Sequence, residues 1–261
     1  MDSFDIKITR KPSVEGPVLL EGLPGIGHVE RIAAKHLCVE LRAKKFATLH
    51  SNHFPPQVMI KRSGLIQTMR NDFYYWKAKE EGQRDIIFVI GNAQASTPEG
   101  QYLLSKQILD VVADSGVETI YTLGGLGVGH LVEKPKVFGA VTHRRFIPEL
   151  EKLNVIVKRG GLGQIIGVSG LLLVVGKIRG IDGICLMGET SGFYLDPNSA
   201  KAVLNVLTKL LHLEVDMDKL TKKAKDAERK VAEAQKMEKK MMEEMGMVQR
   251  EPTPDEMRYI G

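Results

Sequence analysis

The stretch EGLPGIGHVE, residues 21–30, follows an apolar run and opens a predicted helix, where nucleotide-binding proteins often carry a glycine-rich phosphate loop. The Walker pattern requires a lysine for the β- and γ-phosphates and a hydroxyl for Mg²⁺. Gly22 and Gly27 have the required separation, but His28 and Val29 occupy the lysine and hydroxyl positions. The loop therefore fails this pattern at the two chemically essential positions.

The same loop also resembles the dinucleotide-binding pattern of three glycines. Gly25 and Gly27 match the first two, but Glu30 stands in place of the third. A carboxylate in the first helical turn interacts favourably with the helix dipole, and its negative charge repels a bound pyrophosphate. A tight strand-to-helix turn that requires positive φ explains these glycines more simply.

Three further glycine clusters, residues 124–130, 159–164 and 188–197, each follow a predicted strand. The carboxyl ends of parallel strands meet at one edge of a sheet, where open α/β sheets bind ligands. This convergence favours an enzyme that uses the glycine-lined edge. The candidate ligand-binding residues there are Gly25, Gly27, His28, Gly125, His130 and Glu189.

Catalytic patterns do not support that enzyme. His50 and His53 have no third metal ligand nearby in sequence, and neither G-x-S-x-G nor H-E-x-x-H occurs. Glu189 follows a strand and is the best lone catalytic carboxylate, although capping or hydrogen bonding is the commoner role for such a residue. We therefore expect a protein that is not an enzyme, without catalytic residues, metal or cofactor.

Strands and helices alternate over the first 210 or so residues. The predicted strands are PVLLE, KKFATLH, DIIFVIGN, ETIYTLGG, VIVKRGG and GICLMGE. The predicted helices are HVERIAAKHLCVEL, TPEGQYLLSKQILDVVADSG, IPELEKL, a buried QIIGVSGLLLVVGKI and DPNSAKAVLNVLTKLLHL. This order predicts an α/β fold with a parallel or mixed sheet covered by helices on both faces.

Residues 57–77 interrupt the alternation. Two β-rich runs joined at Ser63-Gly64, with a turn at Asn71-Asp72, predict an inserted antiparallel hairpin. It would carry the aromatic residues 73–76, which we expect in a core or subunit interface, with ligand stacking as the alternative.

Composition limits the class of protein. The chain has 261 residues, 43% hydrophobic and 26% charged, which is typical of a globular protein. Its net charge is +5, but acids and bases alternate where charge is densest, so nucleic-acid binding is not expected. Cys38 and Cys185 form no disulfide or zinc pattern, and no export or membrane-spanning segment is apparent. We expect a cytoplasmic protein.

The sequence predicts three regions: an α/β core at 1–213, a helical arm at 214–246 and a flexible tail at 247–261. The arm carries apolar residues at three- and four-residue steps, but alanine at three of these positions makes a weak seam. It therefore either lies on its own globule or projects to pair with another subunit.

The tail ends in MRYIG after Pro252 and Pro254, which favour an extended segment. A terminal strand packed on the core would account for these apolar residues. A docking peptide delivered by the arm fits the layout of the region better.

Several segments together resemble the archaeal branch of the proteasome assembly chaperone family, over roughly residues 15–212. They are VLLEGLPGIGHVERIAAKHL, HFPPQVMI, IIFVIGNAQASTPEG, IYTLGGLGVG and GLGQIIGVSGLLL. The resemblance implies a three-layer α/β/α sandwich like that of nucleoside phosphorylases, and assembly without catalysis. It also implies homo-oligomers whose C-terminal arms reach pockets between α-subunits of the proteasome ring.

The implied docking peptide ends in a hydrophobic residue, a tyrosine and any residue. This chain departs from that ending, because Tyr259 is followed by Ile260 and Gly261, and Arg258 precedes it. Met257 or Ile260 would then supply the apolar contact and Gly261 the carboxylate.

We therefore expect an oligomeric chaperone or adaptor that binds the proteasome α-ring through residues 257–261. The alternatives are a phosphorylase-like or ATP-grasp-like enzyme at the glycine-lined edge, and an oligomeric scaffold with a self-docking tail.

Overall fold

The chain folds around an eight-stranded mixed sheet, and the computed structural model describes residues 3–157 and 163–244. The strands are β1 Phe4–Ile8, β2 Val18–Gly22, β3 Lys44–Ser51, β4 Val58–Ile60, β5 Ile66–Thr68, β6 Asn71–Trp76, β7 Ile86–Gly91, β8 Thr119–Gly127, β9 Val137–Val141 and β10 Asp182–Thr190. The α-helices are α1 Val29–Glu40, α2 Pro98–Val111, α3 Ile147–Lys152, α4 Val168–Ile178, α5 Pro197–Leu210 and α6 Asp218–Glu244.

The sheet has the order β1-β3-β6-β7-β2-β8-β10-β9. Its centre, β7, β2, β8 and β10, is parallel, whereas β1, β3, β6 and β9 pair antiparallel with their neighbours. β2 and β7 are buried along their whole length, as expected for central parallel strands. The sheet is therefore mixed, one of the two arrangements that the sequence allowed.

Helices cover both faces of this sheet. Alternate residues of a strand point to opposite faces, so Val18 and Leu20 join the core under α1 and α5, whereas Leu19 joins the core under α2 and α4. The predicted three-layer α/β/α sandwich is confirmed.

Local sequence signals position two of these helices. The Thr97 side chain accepts a hydrogen bond from the Gly100 amide at 3.1 Å, and Asp196 accepts one from Ser199 at 2.8 Å. Each capping residue is followed by a proline at the first helical position. Both helix starts agree with the sequence.

The hairpin insertion is present but shorter than predicted. β4 and β5 form a separate two-stranded sheet that turns through Gly64, which has φ 79°. The predicted turn at Asn71-Asp72 is wrong, because both residues lie within β6, which bonds to β3 and β7 of the main sheet. The aromatic residues of β6 therefore belong to the main sheet, where Phe73 and Trp76 are buried in the two cores.

Two other predictions differ from the structure. The helix expected to begin at Gln164 begins at Val168, and it is not fully buried, because Val174 and Ile178 are exposed. VIVKRGG contributes a single bridge, Ile156 to Phe138, among the described residues, and residues 158–162 lie outside them. β1 and β9, which were not predicted from the sequence, extend the sheet at its two edges.

Helix α6 begins against the core, with Leu220 and Ala224 buried and Lys219 paired with Glu40 at 2.8 Å. Farther along, the side chains of Met237 and Met241 are exposed. Residues 245–261, including the proposed docking peptide, lie outside the described residues. None of the helices described is long and apolar enough to cross a lipid bilayer.

Candidate functional site

The loops after β2, β8 and β10 meet at one edge of the sheet, as the sequence predicted. The amide of Asp196 donates to the carbonyl of Gly27 at 2.9 Å, and the amide of Val128 donates to Thr190 at 2.9 Å. Since β2, β8 and β10 run parallel, the glycine-rich segments that follow them lie at the same edge of the sheet. The two backbone hydrogen bonds join these segments directly. The third predicted cluster, residues 159–164, lies largely outside the described residues.

The glycines of this edge allow loops to pack closely. Gly27 has φ 65°, and a Cβ there would lie 2.8 Å from the hydroxyl of Thr190. A Cβ at Gly125 would overlap the carbonyl oxygen of Ile26. Close contact between the β2 loop and its neighbouring strands therefore accounts for both glycines.

Two buried carboxyl groups lie beneath the loop, and no sequence pattern indicated that they form a pair. Glu21 is fully buried, with one oxygen accepting the amide of Leu23 at 2.7 Å and the other accepting the hydroxyl of Ser169 at 3.0 Å. Glu30 is 1% exposed, and neither of its oxygens has a hydrogen-bond partner among the described residues. A Cβ at Gly25 would overlap the Glu30 carboxyl.

Burial controls the charge of this pair. Loss of solvent raises the pKa of Glu21 to about 7. The same effect, followed by repulsion from Glu21, raises the pKa of Glu30 to about 9. Glu30 is therefore protonated near neutral pH, and the expectation that its charge favours the helix dipole is wrong.

His28 begins α1 in the left-handed region, with φ 52°, where a Walker loop would place its lysine. Burial, followed by the charge of Arg31, lowers the pKa of His28 below its usual value. This favours a neutral imidazole, which is a poor substitute for a phosphate-binding lysine.

The two remaining candidate residues make contacts with the backbone. Glu189 accepts the amide of Lys136 at 3.0 Å, in the loop before β9. His130 is exposed, and its Nδ1 lies 3.2 Å from the carbonyl of Leu131. The Glu189 contact joins the end of β10 to the loop before β9, whereas the His130 contact joins two neighbouring residues.

His50 and His53 contact different partners in the fold. Nδ1 of His50 lies 3.2 Å from the hydroxyl of Thr68, whereas the ring of His53 packs 5.5 Å from that of Phe4. Across the described ranges, no three His, Cys, Asp or Glu side chains are grouped so that they could hold a metal ion.

Apolar side chains around the same edge are exposed to solvent. Ile26 is 49% exposed, and Phe193, Tyr194 and Leu195 follow one another in the loop after β10 with at least 46% exposure each. We call these four residues the apolar rim. Large exposed apolar patches commonly mark surfaces that bind other proteins.

Comparison with known proteins agrees with this fold. The PAC2 family matches residues 19–235. An uncharacterized protein of Methanocaldococcus jannaschii is 42% identical over 263 residues, covering 99% of this chain and 99% of the relative.

Two solved structures are also similar. Pyrococcus furiosus PbaB, described as an archaeal proteasome activator, has a TM-score of 0.86 and 40% identity, covering 90% of this chain and 100% of PbaB. Pyrococcus furiosus PbaA, described as an archaeal homolog of proteasome-assembly chaperone, has a TM-score of 0.73 and 28% identity, covering 94% of this chain and 97% of PbaA. Because the family match covers most of the chain and these relatives align almost from end to end, the chain belongs to the PAC2 family.

Proposed function

We propose that this protein is a non-enzymatic proteasome assembly chaperone or activator. The observation that carries the proposal is the likeness to PbaB, with 40% identity and a TM-score of 0.86. Likeness to PbaA supports the same class of partner. A cytoplasmic homo-oligomer suits that role, because several copies of one tail can bind repeated pockets of a ring.

The described edge of the sheet supports a role in binding proteins over one in catalysis. Its glycines serve close packing, and the carboxylate of Glu189 accepts a backbone amide. The apolar rim offers contact surface for a protein.

The C-terminal tail is the proposed docking element for proteasome α-subunits. Tyr259 combines apolar area with a hydroxyl, and the Gly261 carboxylate can pair with a lysine in a pocket between subunits. Either Met257 or Ile260 supplies the second apolar contact. We propose that α6 projects from the core and delivers this tail, a proposal supported by the exposure of Met237 and Met241 beyond its packed first turns.

Deletion of residues 257–261 tests the tail. We expect the deleted protein to keep its oligomeric state and unfolding free energy but to lose co-sedimentation with proteasome α-rings. Tyr259→Ala should weaken binding strongly, whereas Tyr102→Ala, at a tyrosine 59% exposed on α2, serves as the matched control. Undiminished co-sedimentation of the deleted protein would refute docking through the tail.

A further inference from the structure

A second site lies beside α1, away from the tail. A cavity of about 590 Å³ opens between α1, the end of β7 and the strand β6, with Gln67 of the hairpin on one side. Small-molecule sites commonly have volumes of roughly 300–1,000 Å³. The cavity is therefore large enough for a small organic ligand.

Four of the five charged residues that line this cavity are basic. Arg31, Lys35 and Arg42 recur at spacings of four and seven residues, which place them along one side of the helix and its end. Arg70 faces them from the segment before β6. The lining carboxylate, Asp72, is already paired with Lys45 at 2.6 Å and with Arg70 at 3.2 Å.

Within the described parts of the chain no ion pair involves Arg31, Lys35 or Arg42. Lys35 and Arg42 are exposed to solvent, whereas Arg31 is half-buried. Nε of Arg31 is also shielded from solvent, and none of the described groups forms a hydrogen bond with it. A buried donor left unpaired destabilises the fold by about 1–3 kcal/mol, and more when it is charged.

The charge of Arg31 does not stabilise α1. It lies in the first turn of α1, where a cation opposes the helix dipole, and neighbouring Glu30 is protonated near neutral pH. Arg42 follows the helix with φ 54°, a left-handed conformation that glycine adopts most easily. A cation at the C-terminal end of a helix interacts favourably with the helix dipole. The helix therefore accounts for the charge of Arg42 but not for that of Arg31.

The topology of the sheet adds an independent argument. β2 and β7 are parallel neighbours, but the helices that follow them, α1 and α2, pack on opposite faces. Open α/β sheets bind ligands at such a switch point, outside the carboxyl ends of the strands. The cavity is lined by Ile90, Gly91 and Asn92 at the carboxyl end of β7.

We propose that this cavity binds a small molecule carrying two or more phosphate groups. Arg31, Lys35 and Arg42 would neutralise the phosphates, and the Arg31 guanidinium would gain the acceptor that it lacks in the fold. The shared chemistry is an oligophosphate, either free or attached to a nucleoside. The site is separate from the glycine loop and does not depend on the tail.

Isothermal titration calorimetry with tripolyphosphate, ATP and inorganic phosphate tests the site in the full-length protein. We expect saturable binding of tripolyphosphate or ATP in low salt, weaker binding of inorganic phosphate, and lower affinity in high salt. Tighter binding of ATP than of tripolyphosphate would identify a nucleotide as the ligand, whereas equal affinity would identify the free oligophosphate. Absence of saturable heat with both compounds would overturn the proposal.

Charge-matched variants distinguish binding in the cavity from general electrostatic attraction of the ligand to the protein. The triple variant Arg31→Gln, Lys35→Gln and Arg42→Gln should bind at least about tenfold more weakly, because it loses charged hydrogen bonds. Lys61→Gln, Lys177→Gln and Lys209→Gln remove the same charge from exposed positions elsewhere and should leave binding unchanged. Equal losses in the two triple variants would refute the site.

Hydrogen exchange of the wild-type protein gives a measurement that does not depend on how the variants fold. Tripolyphosphate should slow amide exchange in residues 31–43 and 67–74. Protection confined to other segments would place the ligand elsewhere and contradict the proposal.

Discussion

Glu21 and Glu30 are ionisable groups in an interior that excludes water. An acid with a higher pKa in the folded than in the unfolded state keeps a proton that the unfolded chain releases. The free energy of unfolding therefore falls as pH rises between the two pKa values. For Glu30 this interval extends from its usual value of 4.5 to about 9.

We expect the wild-type protein to lose stability between about pH 5 and about pH 9, by at most about 1.4 kcal/mol per pH unit for each such group. Glu30→Gln removes one titrating group and should flatten the profile above about pH 7, where the remaining Glu21 contributes little. Urea unfolding across this range measures the slope. Glu81→Gln, at an exposed loop position, should retain the wild-type slope. Identical profiles for Glu30→Gln and wild type would contradict the raised pKa of Glu30.

Residue chemistry at the glycine loop was partly predictable from sequence. His28 and Glu30 replace residues that phosphate loops require, and this followed from spacing alone. The protonation of Glu30 did not follow, because it depends on burial and on Glu21, which lies on β2. Glu21 in turn is bonded to Ser169, 148 residues away in the chain.

At the scale of elements, the approach of the β2 loop to β8 depends on the absence of a side chain at Gly125. Added atoms in a close-packed contact typically destabilise a protein by about 1–3 kcal/mol. A Cβ added at the neighbouring Gly124 would meet only the flexible side chain of Met187, at 3.3 Å from its Cγ.

We expect Gly125→Ala to lower the free energy of unfolding by about 1–3 kcal/mol, because its Cβ meets the backbone oxygen of Ile26. Gly124→Ala is the matched control and should change stability much less, since the Met187 side chain can move. Chemical denaturation of both variants measures the difference. Equal effects would show that the loop does not limit the space at Gly125.

Elements with strong local signals were predicted well. Thr97-Pro98 and Asp196-Pro197 begin α2 and α5, because capping acts within a few residues. The start of α4 and the strand at Asn71 were predicted incorrectly. Before α4, the apolar pattern of the sequence begins ahead of the first helical residue, Val168. At Asn71-Asp72, pairing of β6 with β3 and β7 outweighs the tendency of these two residues to form a turn.

At the scale of the whole molecule, we propose that several weak tails of one homo-oligomer act together. Linking binding segments on one oligomer can raise apparent affinity by about 10²–10⁴ without new contacts. A single tail on a monomeric protein should therefore bind α-rings far more weakly than the complete oligomer does.

Fusion of residues 245–261 to an unrelated monomeric carrier tests this expectation. We expect detectable binding to α-rings that is at least about a hundredfold weaker than that of the intact protein. Surface plasmon resonance on immobilised rings measures both affinities, and the fusion with Tyr259→Ala is the control. Equal affinity of the monomeric fusion and the intact protein would argue against binding through several tails.

The sequence by itself determined the types and order of most elements, the α/β class and the failure of the phosphate-loop patterns, because periodicity, capping and motif spacing are short-range properties. Only the tertiary structure decided how distant residues meet. It added β1 and β9 to the sheet edges, buried Glu21 beside Glu30, and brought Arg70 to face the cations of α1. Burial and charge at these places depend on strand order and helix packing, which no local stretch of sequence encodes.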